Sequence, residues 1–300
     1  MKKLIVAFIL LVAVESFGQQ DPQYTQYMYN MSVINPAYAG SNDALSFGVL
    51  YRTQWSGIDG APKTGTFFGH TPVGEKIGLG LSVIADQIGP INETNAYADF
   101  SYTLNLGGVH KLAFGIKAGA TFHDRGLGSL DLIDPGDPFF QNLTGVTPNI
   151  GSGVFYYTDK YYLSFSVPNI LSGVKLDANG TEFGTEVAHY FLSGGYVFDL
   201  SENTKFKPSF LVKSAFDAPT SFDVNANFLF FEKLELGASY RLDDSFSGLI
   251  NFALSPSIRI GYAYDAVNSD IRTFAPASHE FMLLFDLNFT KKVSRSPRFF

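Results

Sequence analysis

Hydrophobic and polar residues alternate along most of this chain with the period of two that is typical of β-strands. From residue 281 to residue 289 the odd positions are Phe or Leu, while the even face, which starts at Glu280, is polar at its ends and apolar in the middle. Residues 234–241 alternate more cleanly, with leucine, alanine and tyrosine opposing charged and small residues. A soluble sandwich also alternates, but rarely over most of its length with so many Phe and Tyr. An apolar outer band around a polar lumen is what a membrane-spanning barrel requires.

We therefore predict an all-β fold, a transmembrane antiparallel β-barrel of about 14 strands. Most segments are long enough for a tilted crossing of the hydrocarbon core. Charges that face inward, such as Lys117, Glu235 and Asp286, suit a wet or ion-paired lumen and not a lipid face. The predicted strands are 43–53, 63–71, 76–86, 93–105, 110–123, 147–158, 160–169, 186–199, 203–213, 220–231, 232–242, 244–255, 256–266 and 278–290.

The predicted connections alternate between short and long, with one short exception near residue 243. Bacterial barrels with a periplasmic N-terminus and an even strand count place their short turns in the periplasm and their long loops outside. We expect the same arrangement here. The short connections are 72–75, 106–109, 200–202 and those near 159, 231 and 255, and the longer ones are 54–62, 87–92, 124–146, 170–185, 214–219 and 267–277.

The N-terminus has the features of a secretory signal peptide. Lys2 and Lys3 precede an apolar run that ends at Val14, and Ser16-Phe17-Gly18 is a small-x-small cleavage site. The alternative of a membrane anchor is weak, because a spanning helix needs about 20 apolar residues. We predict four parts: a signal peptide at 1–18, a periplasmic or plug segment at 19–42, an outer-membrane barrel at 43–290 and a basic tail at 291–300.

Composition changes this picture only in detail. Hydrophobic residues make up 46% and aromatic residues 16% of the chain without a long apolar run after Val14, so the hydrophobicity is spread over alternating strands. The chain has 0 cysteines, and closure of a sheet must therefore supply the stability that disulfides give other exported proteins. The formal net charge of −7 argues against nucleic acid as a partner, since phosphate binding needs clustered Lys and Arg.

No constellation in the sequence predicts catalysis, a metal site or a cofactor. The histidines are scattered, Gly78-Leu79-Gly80 is not a nucleotide loop, and no GxSxG occurs, so we do not expect an enzyme. Asp131, Asp134 and Asp137 lie in the longest loop, where calcium binding is conceivable but an ordinary solvated loop is favoured. The basic tail is either solvated or in contact with an acidic partner or lipid headgroups.

The segment after the signal peptide differs from the strands, because it is rich in amides and tyrosines and lacks sustained alternation. Its two blocks, DPQYTQYMYN at 21–30 and INPAYAGS at 34–41, resemble the N-terminal signature of the PorP/SprF family of outer-membrane proteins linked to type IX secretion. Tyr51-Arg52 with Gln54-Trp55, Gly57 and GAPKT at 60–64 resemble the next block of that family. The closing strands are similar at YAYD, 262–265, and at Ser278-His279-Glu280 with Met282-Leu283.

The resemblance implies an outer-membrane component of the type IX secretion system that supports secretion or surface display of a partner protein, such as a gliding adhesin. It implies as partners other secretion proteins in the periplasm and outer membrane, a secreted surface protein as client, and outer-membrane lipid. The strand pattern alone is equally compatible with an outer-membrane channel or a hydrophobic-ligand transporter.

The N-terminal segment is either a plug in the barrel mouth or a docking element on the periplasmic side, and the two roles are compatible. Amides and tyrosines offer hydrogen bonds and rigid anchors that barrel closure does not need. We expect Arg52, Trp55 and Pro62 to shape the first outer loop, and His279 and Glu280 to fix the start of the last strand. The predicted partner-binding residues are Asp21, Pro22, Gln23, Tyr24, Gln26, Tyr27, Asn35, Pro36 and Tyr38.

Overall fold

The computed structural model describes residues 23–42, 44–129, 142–171, 174–178, 181–185, 188–215 and 218–287. The predicted signal peptide, the basic tail and the loop aspartates Asp131, Asp134 and Asp137 lie outside these residues. No helix among the described residues is long and apolar enough to cross a membrane.

The described residues form mostly β-strands, with a few short helices near the N-terminus and in two loops. The strands are β1 Leu45–Thr53, β2 Lys63–Val73, β3 Ile77–Ile88, β4 Ile91–Gly107, β5 His110–Arg125, β6 Leu143–Tyr157, β7 Tyr161–Val167, β8 Val174–Ala178, β9 Thr181–Thr185, β10 Tyr190–Tyr196, β11 Phe198–Ser201, β12 Thr204–Ala215, β13 Ala218–Phe230, β14 Leu234–Arg241, β15 Ser245–Ser255, β16 Ile258–Val267 and β17 Ala277–Leu287. Helix α1 is Met31–Ile34, and the 3₁₀-helices are Tyr27–Tyr29, Pro36–Tyr38, Leu127–Ser129 and Asp270–Thr273.

The strands close into one antiparallel barrel. Apart from β8, β9 and β11, each strand pairs with the next one along the chain, so that β10 pairs with both β7 and β12, and β1 also pairs with β17. β10 and β11 are one crossing interrupted at Val197, whereas β8 and β9 form a separate hairpin, so the barrel has 14 strands. The predicted fold and strand number are confirmed. Closure leaves no open edge, which is the condition for a sheet in lipid.

The two ends of the barrel differ in their connections. Six connections of two or three residues lie at one end, where β1 also begins and β17 ends; we call it the short-turn end. The opposite, long-loop end carries the connections 54–62 and 268–276. The connection predicted as a longer loop at 87–92 is a two-residue turn, because β3 continues to Ile88 and β4 starts at Ile91.

The two faces of the wall have the predicted polarity. Ile116, on the outer face of β5, is 61% exposed, whereas the next residue, Lys117, faces the lumen and is 2% exposed. An outer row of aromatic rings, with centroids 4.4–6.2 Å apart, follows the short-turn end as the girdle of a membrane barrel does. The row consists of Tyr156, Tyr161, Tyr196, Phe198, Phe206 and Phe228.

Candidate functional site: the N-terminal segment in the lumen

Residues 23–42, which we call the lumen segment, are enclosed by the barrel wall. Every residue from Tyr24 to Ala39 is buried, although none of them belongs to a strand. The 3₁₀-helix Pro36–Tyr38 contacts β4, β5 and β6, and α1 contacts β2 and β3. The segment therefore lies against the inner face of several strands.

The lumen segment runs from the long-loop half of the barrel towards the short-turn end. Arg241, the last residue of β14 at the long-loop end, donates from Nη2 to the carbonyl oxygen of Tyr24 (3.4 Å). Glu235, near the opposite end of the same strand, accepts a hydrogen bond from the Tyr29 hydroxyl. The chain thus runs through the lumen from the long-loop half to the short-turn end, where β1 begins.

Three charged residues hold the start of the lumen segment. The two carboxylate oxygens of Glu280 accept the backbone N–H groups of Thr25 and Gln26, each at 2.9 Å. Asp265 accepts the Thr25 hydroxyl at 2.8 Å. Arg52 lies between the two acids, with Nη1 2.7 Å from Asp265 and 3.2 Å from Glu280. One guanidinium therefore compensates two buried carboxylates while their remaining lone pairs bind the segment.

Two tyrosines of the lumen segment bind neutral groups of the wall. The Tyr24 hydroxyl lies 2.8 Å from the Thr66 hydroxyl. The Tyr27 hydroxyl donates to Ser209 at 3.3 Å and accepts from Asn225 at 3.1 Å. Burial raises the pKa of the Tyr27 phenol well above its ordinary value, so this ring stays a neutral donor.

Tyr29 reaches a second charged cluster near the short-turn end. Its hydroxyl donates to Glu235, which also pairs with Arg259 at 3.1 Å and accepts from the Asn227 amide at 2.5 Å. The ammonium of Lys207 lies 5.7 Å from the centre of the Tyr29 ring, within cation–π range. Tyr29 is thus held through both its hydroxyl and its ring.

The second half of the lumen segment fits where the wall lacks side chains. A Cβ atom at Gly115 would lie 2.1 Å from the Ala37 nitrogen, and one at Gly78 would lie 2.0 Å from the Ala39 carbonyl oxygen. Distances of this size exclude any side chain while the segment is in place. Glycine is the residue that permits such close backbone approach.

Asn35 and Tyr38 fix this half of the segment. The Asn35 side-chain amide donates to the Ser164 hydroxyl at 2.7 Å, and its oxygen accepts the N–H of Ala37 at 2.9 Å, which caps the following 3₁₀-helix. The Tyr38 ring lies edge-on to Phe155, with centroids 5.2 Å apart. Other wall residues of the same buried cluster, Leu50, Met282 and Leu284 among them, are apolar. Contact with the segment explains why the inner face of β17 is apolar in its middle.

Most predicted partner-binding residues lie inside the barrel. Asp21 and Pro22 are outside the described residues, and Gln23 is half-buried. The others are buried against the wall: Tyr24, Gln26, Tyr27, Asn35, Pro36 and Tyr38.

Two residues have a different place from the one we expected. Arg52 is expected to shape the first outer loop and Glu280 to fix the start of the last strand, but both point into the lumen and bind Thr25. Asp265 is a further binding residue that sequence reasoning missed. The alternation of the strands could have identified Arg52, Asp265 and Glu280, since each is a charged residue on the inward face of a strand.

A cavity remains between the lumen segment and one side of the wall. The space that the centre of a water-sized sphere can reach in it is about 70 Å³, and its lining includes Tyr27, Ile34, Phe191, Lys213 and Asp223. Within the described part of the chain, no group of three or more His, Asp and Glu side chains has an arrangement that would hold a metal ion.

Comparison with protein families identifies the kind of barrel. The family described as "Type IX secretion system membrane protein PorP/SprF" matches residues 16–285, which is most of the chain. The chain belongs to the PorP/SprF family. It is therefore an outer-membrane β-barrel of the type IX secretion system, and the predicted resemblance and outer-membrane location are confirmed. Family and fold indicate a structural or secretion component.

Solved structures similar to this PorP/SprF protein are outer-membrane barrels. The P. putida toluene transporter TodX is 11% identical with a TM-score of 0.51, and the match covers 88% of this chain and 95% of TodX. The Ralstonia pickettii toluene transporter TbuX is 10% identical with a TM-score of 0.51, covering 85% of this chain and 93% of TbuX. At this identity the likeness shows the fold alone. No curated protein matches the chain in sequence.

Proposed function

We propose that this PorP/SprF protein supports the secretion or surface display of a partner protein such as an adhesin, with residues 19–42 as a plug and docking element. The observation that supports this role most directly is that three charged lumen residues, Arg52, Asp265 and Glu280, bind the protein's own N-terminal segment. Buried charges are costly unless they are paired and hydrogen-bonded, and here the segment supplies part of that compensation. The lumen is built around this segment.

Docking of the predicted partner-binding residues requires movement of the lumen segment. Residues Tyr24 to Tyr38 contact the wall, so a periplasmic or membrane partner reaches them only after the segment leaves the lumen. Arg52, Asp265 and Glu280 form what we call the charged clamp on Thr25. The predicted partner-binding residues that precede this clamp are Asp21, Pro22 and the half-buried Gln23. We propose that a secretion-system partner competes with the wall for the segment and so couples docking to opening of the barrel.

Deletion of residues 21–40 with the signal peptide retained tests this role. We expect a folded, heat-modifiable barrel in the membrane and loss of client display on the cell surface. Asp199→Asn is the matched control, because its carboxylate pairs with Lys160 at 3.0 Å, away from the lumen segment. If display persists in the deletion strain, the segment is only a structural cap.

One observation favours a second role as a channel or a transporter of hydrophobic ligands, namely the cavity beside the lumen segment, whose lining includes Ile34 and Phe191. Single-channel conductance in planar bilayers, with and without residues 19–42, separates the two roles. A plugged secretion component conducts only after the deletion, whereas a channel conducts with its segment in place.

A further inference from the structure

The lumen binds its own N-terminal segment largely through the main chain. Glu280 accepts two consecutive N–H groups, and four other wall side chains donate to carbonyl oxygens of the segment. The carbonyl contacts are Arg241 to Tyr24 (3.4 Å), Lys117 to Ser32 (3.4 Å), Ser166 to Ile34 (2.9 Å) and Ser101 to Ala39 (2.6 Å). His70 Nδ1 accepts the N–H of Gly40 at 3.2 Å. Every polypeptide offers these groups, whatever its side chains.

We propose that the lumen is a polypeptide-binding site that accepts a segment of another protein chain when its own segment leaves. The proposal rests on the secretion role and deepens it by naming the partner chemistry: a non-strand stretch about as long as residues 23–42, with small residues near its end. The occupant is a second polypeptide and not a lipid or a small molecule, because the wall offers both acceptors for backbone N–H groups and donors for carbonyl oxygens along the path of the segment.

The shape of the wall supports a polypeptide as occupant. The hollows at Gly78 and Gly115 admit backbone atoms to 2.0 Å and 2.1 Å from where a Cβ would lie, which is much closer than a non-bonded contact allows. Ala37, Ala39 and Gly40 occupy this region of the segment. A foreign chain therefore needs small residues at these positions.

Side-chain contacts set the order of preference among occupants. The hydrogen bonds from Tyr29 to Glu235 and from Asn35 to Ser164 are specific to the protein's own segment. They favour the native segment over a foreign one of equal length, and covalent attachment adds an effective concentration of about millimolar. The native segment is thus a competitor that a client must displace.

The test uses the full-length chain with a weakened lumen segment and an intact wall, Tyr29→Phe with Asn35→Ala. A cysteine introduced by Ser32→Cys in this cysteine-free protein reports when the segment has left the lumen, and peptide is added at a urea concentration where that cysteine reacts. The probes are two fluorescent peptides of residues 23–42. One has the native sequence, and the other has its side chains shuffled except at Pro36, Ala37, Ala39 and Gly40.

We expect both peptides to bind saturably in fluorescence anisotropy, the native peptide more tightly because it keeps the Tyr29 and Asn35 hydrogen bonds. Glu280→Gln in the same chain should weaken both by about tenfold or more, because only one of the two N–H groups keeps an acceptor and the charge of that acceptor is lost. Binding of the native peptide alone, or of neither peptide, overturns main-chain recognition. Heat modifiability on gels checks the fold, and Tyr29→Phe alone replaces the double variant if the latter does not fold.

This result is independent of the proposed display function. If the protein binds both peptides but client display survives the deletion of residues 21–40, only the proposed role of the segment in display is refuted. Loss of display without peptide binding removes the polypeptide site and leaves the display role.

Discussion

Glu280→Gln tests whether the charged clamp retains the lumen segment. The glutamine oxygen can still accept one of the N–H groups of Thr25 and Gln26, but its NH₂ group faces the other donor, which stays buried without an acceptor. Loss of one charge-assisted bond costs about 1.5–3 kcal/mol, and an orphaned buried donor costs about 1–3 kcal/mol. Since Asp265 still compensates Arg52 at 2.7 Å, we expect a total in the lower part of the summed range, about 3 kcal/mol. About 3 kcal/mol corresponds to a factor of about 150 in the open population.

The assay measures this opening by thiol labelling. Ser32 is 2% exposed and the chain has 0 cysteines, so Ser32→Cys introduces one thiol that reacts only when the segment leaves the wall. In detergent, its labelling rate with a maleimide should rise about 150-fold in Glu280→Gln. Asp199→Asn serves as the control, because it removes a carboxylate from the exposed pair with Lys160 and should leave the rate unchanged.

An unchanged labelling rate in Glu280→Gln would refute the reasoning. It would mean that the apolar contacts of the second half of the segment hold it without the clamp. A rise in both Glu280→Gln and the control would indicate general loosening of the barrel instead of release of the segment.

Three further predictions address the wall. Gly115→Ala should raise the labelling rate of Cys at position 32 more than tenfold, because its Cβ would lie 2.1 Å from the backbone of the lumen segment. Gly65→Ala is the control and should not raise the rate, because a Cβ there would have no atom within 4 Å. Equal labelling rates in the two variants would contradict the prediction. Asp99→Asn should lower the free energy of unfolding in urea by about 3–5 kcal/mol, since it leaves buried Lys117 without the carboxylate now 2.7 Å away. The double variant Asp99→Leu with Lys117→Met should recover most of that loss, and additive losses would argue against the pair. Ile116→Arg should cost about 2–4 kcal/mol of folding free energy in phospholipid vesicles, and a neutral effect would place this 61% exposed residue off the lipid face.

The sequence alone was sufficient for the fold class and for the face of each strand. The period of two is a local property of extended backbone, so Ile116 and Lys117 must face opposite sides wherever the strand pairs. The long alternating segments and the short connections between them predict an antiparallel barrel of the size observed. The ends of the strands could not be predicted as well. The turn between Ile88 and Ile91 is short because β3 and β4 stay paired up to these two residues, and local sequence does not specify that pairing.

The lumen site was decided only by the tertiary structure. Arg52 and Glu280 are 228 positions apart in sequence, and they meet because closure of the barrel pairs β1 with β17 in the register Arg52↔Glu280. Their binding of Thr25 also requires the preceding segment to fold back through the lumen, which no local pattern in its amides and tyrosines specifies. Local backbone geometry sets which face a residue takes, whereas the partner it meets there depends on long-range register and on what fills the interior.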